Sequence, residues 1–125
     1  MSLSFDQDPS IADVADCILI NMRPDLGDDG MQALMQSLSR RLVRGRQHAV
    51  LLDFSGVTIL DRHEFDQVHK LAGMCRLLGA SCLLVGLNAG IAAFLAQSGA
   101  QAGTLCCFID MDDAFAYARR LKSEG

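Results

Sequence analysis

The chain has 125 residues, half of them apolar, and a formal net charge of -4 at pH 7. Its lysines and arginines never form a run longer than two, which argues against nucleic-acid partners and anionic membrane surfaces. No apolar stretch reaches the ~18 residues of a membrane-spanning helix, and the acidic N-terminal segment around Asp6 and Asp8 does not resemble a signal peptide. We therefore expect a single cytoplasmic domain over residues 1–125, with its core at about 11–121 and no direct membrane insertion. Residues 1–3 and 124–125 could be cloning remnants and carry no argument.

The five cysteines are odd in number and scattered among apolar neighbours. This pattern predicts buried free thiols in a reducing compartment rather than a disulfide framework. Two of them are adjacent, so they point to opposite faces of a strand and cannot form a Cys-x-x-Cys redox pair. The cysteines are Cys17, Cys75, Cys82, Cys106 and Cys107.

The first half of the chain predicts a strand, a helix and a second strand. Cys17 to Met22 is typical of a buried strand, which the Pro24 segment ends. A helix then begins at Asp28 or Asp29 and ends at Gly45 after a basic last turn. Its apolar residues recur at three- and four-residue steps and predict the buried face: Met31, Leu34, Met35, Leu38 and Leu42. Ala49 to Phe54 is apolar except for Asp53, as in a strand covered on both faces.

A second helix is predicted from Asp61 to Leu78. Asp61 is a preferred N-cap type and Glu64 follows three residues later, the spacing of a capping box. Gly79 ends the helix. The stripe expected to face the sheet consists of Phe65, Val68, Leu71, Ala72, Cys75 and Leu78.

The last third predicts two more strands, each followed by a helix. Ser81 to Leu87 is a buried strand, and Asn88 caps a short helix through Gln97 that Ser98 to Ala100 closes. Because Ile91 to Ala96 is apolar all round, its outer side is a candidate interface for a partner or a homo-oligomer. Leu105 to Ile109 is the last strand. Met111 to Lys122 is the last helix, with an inward face of Ala114, Phe115, Ala118 and Leu121.

Strands that alternate with helices at this spacing predict an α/β sandwich. We expect a mostly parallel central sheet of four to five strands with about four helices. No internal repeat or interdomain linker is visible.

The residues do not support catalytic chemistry. A receiver domain would need an acidic pair after its first strand and a lysine after a late strand. Here the first strand ends in Asn21-Met22-Arg23, and no lysine lies between Lys70 and Lys122. Asp53 is therefore better explained as a hydrogen-bond acceptor at a strand end. His63 and His69 are six residues apart, whereas the zinc-protease helix needs a spacing of four. The segment Gly86 to Gly90 lacks the third glycine of a dinucleotide loop. We expect no enzyme activity, no metal and no cofactor, although nucleotide binding stays open.

The segment Val50 to Asp61, with its strand, Ser55-Gly56 turn and aspartate, resembles a STAS domain, the fold of bacterial anti-sigma-factor antagonists. The resemblance covers about Ile11 to Leu121 and continues in Cys75 to Leu87. The Arg76-Leu77-Leu78-Gly79-Ala80 segment and Asp16 to Ile20 look most like the single-domain scaffold protein of the stressosome branch. The resemblance implies a protein-interaction module in a partner-switching stress-signalling pathway.

In the family that this chain resembles, a serine follows the aspartate and a switch kinase phosphorylates it. Arg62 occupies that phospho-acceptor position here and cannot be phosphorylated. The resemblance places the partner-binding surface at one end of the sheet, at Ser55, Thr58, Asp61, Arg62, His63, Glu64 and Asn88. Ordinary turn and cap chemistry is the alternative explanation for these residues. The implied partners are a switch kinase, an anti-sigma factor or other STAS proteins.

A second function stays open from the sequence. Small STAS proteins also occur as cytoplasmic subunits of membrane transport systems. The neighbouring gene would separate the two hypotheses: a switch kinase favours the first, a permease and ATPase the second.

Overall fold

The structure, a computed structural model, describes residues 10–45, 47–97 and 105–124. These residues form a five-stranded sheet in the order β1 (Ile11–Val14), β2 (Cys17–Asn21), β3 (Ala49–Asp53), β4 (Ser81–Val85) and β5 (Cys106–Phe108). Strands β2 to β5 are parallel, and β1 is antiparallel to β2. The helices are α1 (Gly27–Arg44), α2 (Arg62–Leu77), α3 (Ala89–Gln97) and α4 (Met111–Glu124). The predicted α/β class with a mostly parallel sheet is confirmed.

The edge hairpin of β1 and β2 was not predicted from the sequence. Its turn residues, Ala15 and Asp16, have φ angles of 51° and 67°, a region that favours glycine or asparagine. No Asn-Gly or Asp-Gly pair marks the turn. Three of the four β1 residues are exposed, so the strand also lacks an apolar alternation.

Each face of the sheet carries its own helix layer. On one face, Ile18, Ile20, Val50, Leu52 and Leu84 pack against α1 and α2. On the opposite face, Ala49, Leu51, Leu83 and Val85 pack against Ala114 and Ala118 of α4. Strand β3 is therefore covered on both faces, as its continuous apolar run predicts.

The predicted helix faces are confirmed except at Leu78 and Leu121. Leu38 of α1 and Val68 of α2 are at most 1% exposed, and their predicted neighbours in the core are buried or half-buried. Leu78 is exposed instead of inward, because it follows the last residue of α2 and caps its end. In α4, Phe115 is half-buried and packs against the core as predicted, whereas Leu121 is half-buried and belongs to neither core cluster.

The predicted start of α1 is wrong in detail. The helix begins at Gly27, after Leu26, and no side chain caps it. Asp28 and Asp29 lie in the first turn, where their carboxylates still interact favourably with the helix dipole. The predicted end at Gly45 is confirmed. The closing segment predicted at Ser98 to Ala100 lies outside the described residues.

All five cysteines are free, but only three are buried as predicted. Cys17, Cys75 and Cys82 lie in the core, whereas Cys106 and Cys107 are exposed. The reason is that both belong to β5, a three-residue strand that pairs with β4 at the edge of the described sheet.

Candidate functional site

The loops that follow β3 and β4 lie at the carboxyl edge of the parallel strands. Ligand and partner sites of open α/β sheets lie at this edge because successive loops converge there. Every residue predicted for partner binding belongs to these loops or to the first turn of α2. The edge is therefore the candidate site.

The loop after β3 is held by its own backbone and by two buried side chains. The Ser55 amide donates to Asp53 Oδ1 at 2.9 Å, which confirms Asp53 as a hydrogen-bond acceptor at the strand end. The Phe54 amide donates to the Val85 carbonyl at 2.8 Å, so the loop is fixed to β4. Phe54 and Val57 are buried, whereas Ser55 and Thr58 are exposed. The loop thus presents its polar residues from an anchored backbone.

Asn88 joins the loops after β3 and β4. Its Nδ2 donates to the Thr58 carbonyl at 3.0 Å, and its Oδ1 accepts from the Ile91 amide at 2.8 Å. The second bond confirms Asn88 as the cap of α3. Its amide group is engaged within the protein, where it holds the Thr58 backbone against the start of α3.

Gly86 permits this close approach of the two loops. Its φ is +77°, and a Cβ there would lie 3.4 Å from Asp53 Oδ1 and from Ser55. Both observations favour glycine at this position. Gly86 therefore has a structural explanation that needs no nucleotide.

The start of α2 is fixed by a capping box, as the sequence predicts. Asp61 Oδ1 accepts from the Glu64 amide at 2.8 Å, and Glu64 Oε1 accepts from the Asp61 amide at 2.9 Å. Arg62 is the first residue of the helix, and its side chain is 69% exposed. Its Nε lies 3.6 Å from Asp66 Oδ1, one turn along the same helix. An exposed pair of this kind is weak and can open for another carboxylate.

A cavity of about 190 Å³ lies between the first turns of α1 and α2. Its lining includes apolar Met22, Leu26 and Leu60 together with polar His63 and Glu64. At its mouth His63 Nε2 lies 2.6 Å from Asp28 Oδ1, a contact between the two helices. This hydrogen bond, and then the charge of Asp28, raises the pKa of His63 above its ordinary 6.5. Sequence reasoning missed the cavity and the pair because residues distant in the chain build both.

The structure thus groups the predicted residues into separate sets. Asn88 contacts the Thr58 backbone, and Asp61 contacts Glu64. His63 turns toward α1 and contacts Asp28, which the sequence did not assign to the site. Ser55 is held by Asp53. Among the described residues, no group of three or more histidine, cysteine or acidic side chains is arranged to hold a metal ion.

No family model matches the chain. A stretch of 66 residues, 53% of this chain, is 32% identical to the RsbT co-antagonist protein RsbRA of Bacillus subtilis. The match spans 24% of the length of that protein, so about three quarters of RsbRA has no counterpart in it.

Solved structures resemble the chain over most of its length. A chain of the stressosome, a signal integration and transduction hub, superposes with a TM-score of 0.77 at 16% identity and covers 90% of this chain and 97% of that one. A serine-to-glutamate variant of RsbS from Moorella thermoacetica gives 0.77 at 16% identity, over 90% and 96% of the two chains. The anti-sigma factor antagonist SpoIIAA in its unphosphorylated form gives 0.68 at 12% identity, over 87% and 94%.

The same fold occurs in a membrane transporter. The murine anion transporter Slc26a9 superposes with a TM-score of 0.68 at 18% identity over 86% of this chain, but over only 18% of the transporter. No helix in the described part of this chain combines the length and apolar character needed to cross a membrane.

The chain has the STAS fold. The structural likeness to anti-sigma-factor antagonists confirms the predicted resemblance at the level of the fold. Within that fold, the stressosome chain and RsbS match almost their whole lengths, whereas the transporter matches only over a small part.

Proposed function

We propose that the chain is a non-catalytic protein-interaction module of a partner-switching stress-signalling pathway, either an anti-sigma-factor antagonist or a stressosome-type scaffold. Residues 1–125 act as a single cytoplasmic interaction domain that needs no cofactor or metal. Its partners are a switch kinase, an anti-sigma factor or other STAS proteins. Ser55, Thr58, Asp61, Arg62, His63, Glu64 and Asn88 form or support the binding surface.

One observation carries the proposal: an exposed arginine opens α2 at the carboxyl edge of a STAS fold. The capping box orients the first turn, and the Asn88 bond fixes the neighbouring loop. A surface with a fixed backbone loses little conformational freedom when a partner docks. This favours a role in binding over a role in chemistry.

Arg62 makes the proposed module a constitutive binder. A phosphate at this position would add about two negative charges to the surface and could repel an acidic partner. The guanidinium group carries a permanent positive charge and can pair with a carboxylate through two hydrogen bonds. Arg62 is therefore suited to hold a partner that phosphorylation would otherwise release.

The proposal is tested with the wild-type chain and a candidate switch kinase from the same organism. Isothermal titration calorimetry measures the affinity without nucleotide and again after incubation with ATP. We expect the two Kd values to agree within about twofold, and mass spectrometry to find no phosphate on residues 55–64. Stoichiometric phosphate on Ser55 or Thr58 together with lost binding would contradict constitutive binding. If the chain binds neither a switch kinase, an anti-sigma factor nor another STAS protein, the interaction role itself is wrong.

A second candidate is a cytoplasmic STAS subunit of a membrane transport system. The superposition on part of Slc26a9 favours it. A native pull-down distinguishes the two functions, because the first recovers signalling proteins and the second recovers a permease with its ATPase.

A further inference from the structure

The large exposed hydrophobic residues lie at the two ends of the sheet. Within residues 10–45, 47–97 and 105–124 they are Val14, Val43, Ile59, Leu77, Leu78 and Ile109. Ile59 and Ile109 follow β3 and β5 and so lie at the carboxyl edge, with exposed fractions of 77% and 91%. Val43 and Leu77, at 71% and 86%, lie at the ends of α1 and α2, which return to the amino edge. Each end of the molecule therefore carries apolar side chains that its own fold leaves uncovered.

The amino edge also has a groove surrounded by basic side chains, and we call this end of the molecule the basic pole. Leu42, Leu78 and Lys122 line this groove of about 680 Å³, which brings the ends of α1, α2 and α4 together. The last turns of these helices supply Arg41, Arg44, Arg76 and Lys122. Asp13 and Asp16 at this end pair with Arg41 and Lys122 at 3.4 Å and 2.6 Å.

The carboxyl edge has the opposite charge, and we call it the acidic pole. The first turns of α1, α2 and α4 supply Asp28, Asp29, Glu64, Asp112 and Asp113. The cations Arg23 and Arg62 at this end lie beside Asp25 and Asp66. The separation of charge follows from the topology, since every helix that returns from a parallel strand begins at the carboxyl edge. Acidic first turns and basic last turns also suit the helix dipoles.

We propose that the apolar patch of the basic pole docks on the acidic pole of a second copy of this chain. The two poles are complementary, because each combines exposed large hydrophobic residues with charge of a single predominant sign. Leu77 and Leu78 supply apolar area that association removes from water, and the opposite charges orient the two copies. The contact joins two different surfaces, so it is head-to-tail and produces a ring or a filament.

This inference does not depend on the proposed function, although the two meet at the acidic pole. A partner that covers the first turn of α2 occupies the surface that the next copy would use. Self-association and partner binding are therefore expected to compete.

Sedimentation velocity with charge-reversed variants tests the contact. One variant carries Arg44→Glu and Arg76→Glu and keeps the acidic pole. The other carries Asp29→Lys and Asp112→Lys and keeps the basic pole. Both pairs are exposed, and both variants leave the predicted partner-binding residues unchanged. Circular dichroism checks that each variant folds.

We expect wild-type protein to associate at about 50 mM salt, with an apparent Kd that rises at least about tenfold at about 500 mM. Each variant alone should associate at least about tenfold more weakly, and an equimolar mixture should recover the wild-type affinity within about threefold. Recovery requires that one intact acidic pole meets one intact basic pole. The proposal is overturned if wild-type protein stays monomeric at low salt. Binding of a different acidic protein to the basic pole would not rescue it, because the proposed occupant is a second copy of this chain. The proposal is also overturned if the apparent Kd does not change with salt, or if both charge-reversed variants associate as tightly as the wild type. A mixture of the two folded variants that fails to associate overturns it as well.

Discussion

The first turns of α1 and α2 flank the same cavity, but they are held in place by different means. The start of α2 is fixed locally by the capping box of Asp61 and Glu64. The start of α1 has no side-chain cap, and its Asp28 contacts His63 of α2. The comparison indicates that α2 is the fixed element of the site, on which Arg62 is displayed. The start of α1 depends on α2 for one of its contacts.

The largest expected effect removes the core that both helices share. Leu38→Asp in α1 or Val68→Asp in α2 places a carboxylate where the side chain is at most 1% exposed. Burial of an unpaired charge destabilises by several kcal/mol, about the whole stability of a small domain. We expect both variants to be unfolded by circular dichroism at 25 °C.

Val43→Asp is the matched control for these core variants. Val43 belongs to α1 but is 71% exposed, so the same chemical change should move the melting temperature by only a few degrees at most. Unchanged melting of Leu38→Asp and Val68→Asp would show that the helix faces are assigned wrongly.

The local cap of α2 gives the next effect. Asp61→Ala removes the acceptor for the Glu64 amide and should lower the free energy of unfolding by about 1 kcal/mol. Asp61→Asn keeps an acceptor and should lose much less. Asp29→Ala in α1 removes only a favourable charge near the helix dipole, about 0.3 kcal/mol. Urea titration measures all three, and equal losses for Asp61→Ala and Asp29→Ala would remove the distinction between the two helix starts.

The sequence predicts the start of α2 better than the start of α1, because only α2 has a local cap. Asp61 and Glu64 signal a capping box within four residues of the chain, and the structure has that capping box. The α1 start has no local signal of this kind: the sequence predicts a start at Asp28 or Asp29, and the helix begins at Gly27. The cavity and the His63–Asp28 pair depend on packing between helices, which periodicity cannot specify. The β1 hairpin was missed because its turn uses Ala15 and Asp16 at positive φ.

A smaller, pH-dependent effect tests the contact between the helices. The hydrogen bond and charge of Asp28 raise the pKa of His63 in the folded protein above 6.5. A group whose pKa is raised by folding contributes its full stabilisation at pH values below its pKa in the unfolded chain. This contribution is lost as the pH rises through the pKa in the folded protein. NMR titration should therefore give His63 a pKa above 6.5 in the wild type and a lower one in Asp28→Asn.

Stability measured at several pH values tests whether the His63–Asp28 contact couples α1 to α2. Between about pH 6 and pH 8 the wild type should lose more stability than Asp28→Asn or His63→Gln, since only the wild type keeps the pair. Identical pH profiles for all three proteins would mean that the contact does not couple α1 to α2.

The proposed role of Arg62, on the fixed first turn of α2, is tested most directly by a pair of variants. Arg62→Ser introduces a hydroxyl at the position that the proposed function assigns to the phospho-acceptor, whereas Arg62→Ala removes the guanidinium group without adding one. Each is incubated with a candidate switch kinase and ATP, and phosphate on residues 55–64 and partner affinity are measured together. The proposed role of Arg62 predicts phosphate at position 62 of Arg62→Ser only, with at least about tenfold loss of affinity, about 1.4 kcal/mol. An unmodified Arg62→Ser protein, or a phosphorylated one that binds its partner as tightly as the wild type, would contradict it.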